Sequence, residues 1–309
     1  MSALRIGTRK SPLALWQAER VQALLAARGL KAELVRLSTT GDRIVDRPLS
    51  EVGGKGLFVK ELEEAMQDGR ADLAVHSAKD VPFALPEGFS LCAFPLREDA
   101  RDALIAPRAK TFAQLPKGAR VGTSSLRRAV QLCAVRPDLQ IVPVRGNVAT
   151  RLGRASGANA LDAVVLALAG LRRLGLEAQV TEILPVELSL PAAGQGALAI
   201  EVRTGSQGDL AAAPLDDVQV SRCVRAERAV LYRLAGSCTV PLAAYAVEED
   251  GQLWLRAVLG CAGQILRAEA RGAEPQALGK GVAEALLAQG GSAFLNPGPG
   301  LAAPPSAEK

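Results

Sequence analysis

LRIGTRKSPLALWQAERVQALLAARGLKAELVRLS, residues 4–38, is the stretch from which the fold class can be read. Residues 4 to 8 (LRIGT) read as a short strand, followed by Ser11 as a helix N-cap and Pro12 at the first helical position. There the missing proline N–H costs no hydrogen bond and the ring pre-sets φ. Leu13, Trp16, Arg20, Leu24 and Arg28 keep helical spacing, and Gly29 supplies a C-terminal stop. Residues 32 to 38 (AELVRLS) form a second strand. A strand, a helix and a strand in that order imply a parallel sheet.

Downstream, GDRIVDRPLSEVGGKG at 41 to 56 is long, polar and Gly-rich and reads as a surface loop before a helix at 57 to 68; a lid and a plain loop fit it equally. In DLAVHSAKDVP an apolar strand, Leu73 to Val75, runs into His76, Ser77, Lys79 and Asp80. Ligands in open parallel sheets bind beyond the carboxyl ends of strands, where those polar residues would stand. After a strand around 89 to 95, a second β/α unit begins near residue 102. RVGTSSLRRAVQLCAV at 120 to 135 reads as strand, turn and helix, with Arg127 and Arg128 in the helix's first turn. LQIVPVRGNVATRLGR at 139 to 154 repeats the device with Arg145 and Arg151, and DAVVLALAG forms a further strand ending in LRRLGLE. From 217 the pattern changes to a helix (218 to 234), three strands (242 to 247, 253 to 259, 264 to 271) and a helix (276 to 288), a small α+β domain. The tail NPGPGLAAPPSAEK lacks apolar periodicity and reads as disordered. No repeat of fixed period is visible.

Composition excludes several classes of chemistry. The chain of 309 residues contains one histidine, His76, so mechanisms needing a histidine pair are ruled out. Five cysteines stand at 92, 133, 223, 238 and 261, with no C-x-x-C and no zinc-ligand spacing, which argues against a metal site or a disulfide framework. Net charge is +5, from 37 basic and 32 acidic residues. Acidic residues are interspersed and no aromatic interleaving suggests base stacking, so nucleic acid is not an expected partner. The arginines fall as singles and pairs beside Gly, Ser and Thr, which suits carboxylates or phosphates held one at a time. No signal peptide and no apolar run of membrane-spanning length is seen, and a cytoplasmic protein without a membrane partner is expected.

Three places could carry chemistry. Thr123-Ser124-Ser125 combines hydroxyls, helix N-terminal N–H groups and two guanidiniums, the ingredients of an anion site, although an N-cap with two solvated arginines uses the same residues. Asp80 is the carboxylate best placed for acid, base or cation-stabilising work, with backbone capping as the alternative. Cys238, in the loop GSCTVP, suits a nucleophile or attachment point, whereas Cys92, Cys133, Cys223 and Cys261 lie in strand or helix patterns and read as inert. His76 reads as a core residue.

Across nearly its whole length the chain resembles the porphobilinogen deaminase (hydroxymethylbilane synthase) family. Matching segments are TRKSPLALWQA, GGKGLFVKEL, DLAVHSAKDVP, GTSSLRRAVQL, VRGNVATRL, LAGLRRLGL, LPAAGQGAL and GSCTVP. The resemblance implies an α/β fold in which two periplasmic-binding-protein-like α/β domains flank a cleft, plus a small C-terminal α+β domain. The implied boundaries are 1–97 with 195–216, then 98–194, then 217–309. It also implies a dipyrromethane cofactor joined by thioether to Cys238 and no metal. On that primer four molecules of porphobilinogen are joined head to tail, each losing ammonia, before hydrolysis releases hydroxymethylbilane. Ser77, Lys79, Thr123, Ser125, Arg127 and Arg128 would hold the cofactor. Arg9, Gln17, Arg145, Arg151 and Arg173 would hold the substrate, with Lys55 and Phe58 at the lid. Asp80 would stabilise the cations that arise when ammonia leaves and pyrroles couple. A monomer is expected.

Two residues depart from the family pattern. Thr40 stands where many members have Arg, which puts one carboxylate contact in doubt, and Ser237 stands where Gly commonly precedes the cysteine. The competing class is a carboxylate-binding receptor built from the first two domains, and Cys238 discriminates against it, because a binding module has no use for a substituted thiol. A nucleic-acid binder would show steep salt dependence and lacks a motif.

Overall fold

The computed structural model describes residues 3–39, 59–157, 159–234, 240–261 and 264–295. The chain divides into two compact units, Met1–Glu98 with Gly194–Val224, and Asp99–Ala193 with Arg225–Lys309.

In the first unit β1 (Leu4–Arg9) pairs in parallel with β2 (Ala32–Leu37) and β3 (Leu73–Ser77), as the opening strand–helix–strand pattern requires. Between them runs α1 (Pro12–Ala26), whose N-cap Ser11 accepts a hydrogen bond from the Ala14 N–H. The stripe that α1 buries is Ala14, Ala18, Val21 and Leu25, one residue on from the leucines and Trp16 that mark its period. It packs with Leu4, Ile6, Leu73, Val75, Leu198 and Ile200. On the opposite face α2 (Lys60–Gln67) packs Leu62, Ala65 and Met66 against Ala71 and Ala74.

The sheet is mixed rather than parallel. β10 (Leu198–Arg203) lies antiparallel between β3 and β4 (Phe89–Ala93), giving the order β2-β1-β3-β10-β4. This strand arrives only after the chain has passed through the second unit, so the strand-to-helix-to-strand logic of the opening segment does not govern its direction. The boundary of β3 also differs, since His76 and Ser77 still belong to the strand.

The second unit repeats the arrangement. Its sheet has the order β7 (Gln140–Val142), β6 (Arg120–Gly122), β8 (Ala163–Ala167), β5 (Asp102–Ile105), β9 (Glu182–Ile183), with β5 antiparallel to both neighbours. Residues alternate between two cores. Leu104, Val121 and Val165 join one with Phe112 and Leu132, while Ala103, Ile105, Val164 and Leu166 join the other with Leu152 and Leu171. Helices α3 (Leu126–Val135), α4 (Val148–Gly153) and α5 (Leu168–Arg173) follow β6, β7 and β8. The LAGLRR segment is therefore a helix, not the end of a strand. With these lie the antiparallel meander β11 (Leu242–Glu249), β12 (Gln252–Cys261), β13 (Gln264–Gly272) and α7 (Pro275–Ala288), reached through α6 (Val218–Arg233).

Close approach of α3 to β12 depends on Gly260, where a Cβ would stand 2.6 Å from Val130 Cγ2. Gly260→Ala should therefore destabilise the protein by about 1–3 kcal/mol, the usual cost of overpacking. The added Val130→Ala change should restore part of that loss, as read from chemical denaturation midpoints.

Candidate active site

The end of β3 gathers the polar residues of the first unit. Alternation along the strand sends Ser77 to the α1 side, where the Gln17 amide Nε2 donates to Ser77 Oγ at 2.7 Å. Gln17 is buried on α1, so a polar pair is set into an apolar helix face. The chain then turns through Ala78–Asp80, a single helical turn. Lys79 Nζ donates to Gln195 Oε1 at 3.2 Å, and Gln195 is fully buried. Gly194 makes this contact feasible. It has φ +73, and a Cβ there would meet Ala78 Cβ at 2.9 Å and Lys79 N at 3.1 Å. Asp80 is exposed and has no hydrogen-bond or ion-pair partner among the described residues, so it does not cap the backbone there. Arg9 ends β1, half-buried, at the same edge of the sheet.

In the second unit Thr123 and Ser125 shape the first turn of α3. Thr123 Oγ1 accepts from the Ser125 N–H at 3.2 Å, and Ser125 Oγ accepts from the Arg128 N–H at 3.4 Å. Ser125 is thus the N-cap. Arg127 and Arg128 are both about 94% buried and converge on Asp102, which has no exposed surface. Arg127 Nη1 lies 2.9 Å from Asp102 Oδ2 and Arg128 Nη2 lies 2.7 Å from Oδ1. Ser189 Oγ donates to Oδ2 at 2.7 Å. Arg127 Nη1 also donates to the Leu190 carbonyl at 2.6 Å, and Arg128 Nη1 to that of Val165 at 3.1 Å. Burial alone would raise the Asp102 pKa; the fields of the two guanidiniums and their hydrogen bonds outweigh it and hold the carboxyl far below the usual carboxylate range. The arginines are neither solvated nor wholly available. Much of their donor capacity serves the internal carboxylate, while Arg128 Nε is buried with no partner among the described residues.

The remaining arginines of the second unit follow β7 and β8. Arg145 precedes α4, half-buried, and Arg151 Nε donates to the Gly146 carbonyl at 2.9 Å. Arg173 is buried in the last turn of α5. Lys55, Phe58 and Cys238, with Thr40 and Ser237, lie outside the described residues. None of the four described cysteines is in a disulfide. Burial, then the field of Asp209, pushes the Cys92 thiol up to about 12, and burial raises that of Cys133, so neither is an activated nucleophile. Asp102, Ser189, Gln131, Gly194 and Gln195 were not singled out from the sequence. A charged residue opening the apolar strand DALI, and the glycines of LPAAGQGAL, were the available signals.

Residues 4–210 match the family described as "Porphobilinogen deaminase, dipyromethane cofactor binding domain", and residues 221–288 match "Porphobilinogen deaminase, C-terminal domain". A porphobilinogen deaminase of Syntrophotalea carbinolica is 52% identical over 301 residues, covering 95% of each chain. Among solved structures, a periplasmic substrate-binding protein of an ABC transporter from Coxiella burnetii is 16% identical with a TM-score of 0.44, over 71% of this chain and 94% of that one. A nutrient-binding protein from Burkholderia cenocepacia bound to methionine is 15% identical with a TM-score of 0.40, over 71% and 89%. No ligand or activity transfers at that distance.

Removing Asp102 would leave two guanidiniums buried without a counter-ion. Asp102→Ala should cost about 3–5 kcal/mol, measured by denaturation of a variant kept at neutral pH. Because the folded-state pKa of Asp102 is depressed, its contribution is present above the unfolded carboxylate value and is lost as pH falls through the acid range. The parent should lose stability on acidification more steeply than Asp102→Asn.

Proposed function

The chain belongs to the porphobilinogen deaminase family, and we propose that it runs the family's reaction with Asp80 as the carboxylate that stabilises the cationic intermediates and Cys238 as the cofactor's anchor. It condenses porphobilinogen, with loss of ammonia, into hydroxymethylbilane and uses a dipyrromethane cofactor attached to a cysteine. When bound, the dipyrromethane supplies the pyrrole end to which substrate is joined. The observation that carries the residue assignment is the setting of Asp80. It is an exposed carboxylate at the end of a buried strand, beside Ser77 and Lys79, and no described residue engages it.

A carboxylate without an internal partner is free to face a cation, and its field counts most where substrate displaces water. The described residues also fit a group bearing several carboxylates. Arg128 has a buried donor, Nε, left over after Asp102 is satisfied; Thr123 and Ser125 stand beside it at the start of α3, and Ser77 and Lys79 stand at the end of β3 in the first unit. Arg127 and Arg128 would act as clamps already oriented by Asp102. Arg9, Gln17, Arg145, Arg151 and Arg173 would bind substrate acetate and propionate groups, and Lys55 and Phe58 would belong to a lid. Two similar five-stranded sheets and a separate three-stranded sheet support a division into domains at 1–97 with 195–216, 98–194 and 217–309. Among the described residues no helix is long and apolar enough to cross a membrane; a cytoplasmic monomer is the proposed working form.

Two measurements test this assignment. Intact mass of the purified protein should exceed the chain mass by two substrate-derived pyrroles; Cys238→Ser should abolish that increment and Cys92→Ser should keep it. Asp80→Asn should retain the cofactor while single-turnover coupling of porphobilinogen falls about 10²-fold or more, the scale of a lost electrostatic stabiliser. A variant coupling at the parent rate would make Asp80 structural.

A further inference from the structure

On the face of the first sheet opposite α1, three ionisable side chains meet inside the apolar packing. Glu201 on β10 is fully buried, and its Oε2 lies 2.8 Å from Nε2 of His76 on β3, itself only 7% exposed. The register accounts for the meeting. Ala199 stands opposite His76 and Glu201 opposite Ala74, so Glu201 and His76 are diagonal neighbours on one face. From α2 the half-buried Glu63 approaches Glu201, and its carboxyl is pushed up to about 7, by burial first and then by the field of Glu201, with His76 partly offsetting both.

No lysine or arginine pairs with Glu201 among the described residues. Burial and the field of Glu201 thus favour the protonated form of Glu63. The His76 ring N–H is not aligned with the nearby oxygen, which leaves Nε2 and both Glu201 oxygens without a well-directed hydrogen bond to a conventional donor or acceptor. The same face of the two strands carries Ala74 and Ala199, which belong to apolar clusters with Leu62 and Ala65 and with Phe94. Apolar residues of the same volume would fill this space at no greater cost, so packing gives no reason for the cluster.

Its location does. His76 directly precedes Ser77, and the next residue, Ala78, donates its N–H to the Ala197 carbonyl at 3.0 Å, so the β3–β10 pairing sets where the Ala78–Asp80 turn begins. We propose that Glu201, His76 and Glu63 are positioning residues for pyrrole coupling, a buried cluster that locks β3 to β10 and α2 immediately before Ser77, Lys79 and Asp80. This rests on the assignment of Asp80 as the cation-stabilising carboxylate. The cluster touches no substrate; it acts through the place it gives that turn, and small displacements of a catalytic group cost rate steeply.

The experiment uses the cofactor-loaded enzyme. Because the chain has a single histidine, ¹⁵N-histidine labelling yields one pair of imidazole resonances that needs no assignment. In the parent, Nε2 should be protonated and its resonance should shift in Glu201→Gln and also in Glu63→Gln, although Glu63 forms no ion pair with the imidazole among the described residues. Both variants should retain cofactor mass and porphobilinogen KM within about twofold, while single-turnover coupling slows by roughly 10-fold to 100-fold. Should Glu201→Gln fail to fold, Glu63→Gln, at a half-buried position, carries both readouts. Asp80→Asn, run alongside, should slow coupling and leave the imidazole resonances unmoved. Parent-like rates in the glutamine variants beside a slow Asp80→Asn overturn the cluster's role alone, as does a parent Nε2 that is unprotonated. A parent-like rate in Asp80→Asn overturns the Asp80 assignment and this proposal with it.

Discussion

A carboxylate with no solvent exposure, Asp102, holds together the polar edge of the second unit. Burying one charge in an apolar interior is prohibitive, and burying three is tolerable only when each is matched. Here one carboxylate faces two guanidiniums and a serine hydroxyl, and one Nη1 donor of each guanidinium goes to a backbone carbonyl, of Leu190 or Val165, leaving Arg128 Nε over. Gln131 completes the arrangement by accepting from the Leu190 N–H and donating to its carbonyl. The start of β5, the first turn of α3, the end of β8 and the segment at 189–190 are thereby tied at one point. Side chains as long as arginine would otherwise lose much of their orientation to entropy, so a rigid internal partner makes them usable as directed anion donors.

The first unit, with the same strand order, solves the corresponding problem differently. Each sheet inserts one antiparallel strand beside its third parallel strand, and each inserted strand carries a buried acid: Asp102 on β5, Glu201 on β10. Asp102 is neutralised by arginines. Glu201 meets instead an imidazole and, from α2, a second carboxyl. The free carboxylate of the first unit, Asp80, stands instead on the turn after β3, held from behind by Gly194 and Gln195. The second unit thus holds guanidiniums fixed by an internal carboxylate, and the first a carboxylate with no partner among the described residues.

The duplication of the two sheets leaves no repeat in the sequence. A sheet between helix layers demands only apolar residues at the right period, and many unrelated side chains meet that demand. Ile6 and Val121, or Leu73 and Ala163, occupy matching roles without resembling one another in their neighbours.

Much of what is local was written in the sequence. Ser11 and Pro12, and the Thr123-Ser124-Ser125 turn, marked element starts through capping and φ preferences that act within a few residues, and the order of motifs carried the family and its chemistry. The places of Ser77, Lys79 and Asp80 at a strand end followed from one apolar run. What only the tertiary structure decided were the partners: that β10 and β5 enter antiparallel, that Asp102 claims Arg127 and Arg128, and that His76 meets Glu201. Those pairings join residues 25 to 125 positions apart. Local propensity does not encode them, because their energy arises only when burial removes water and makes each charge depend on the one charge within reach.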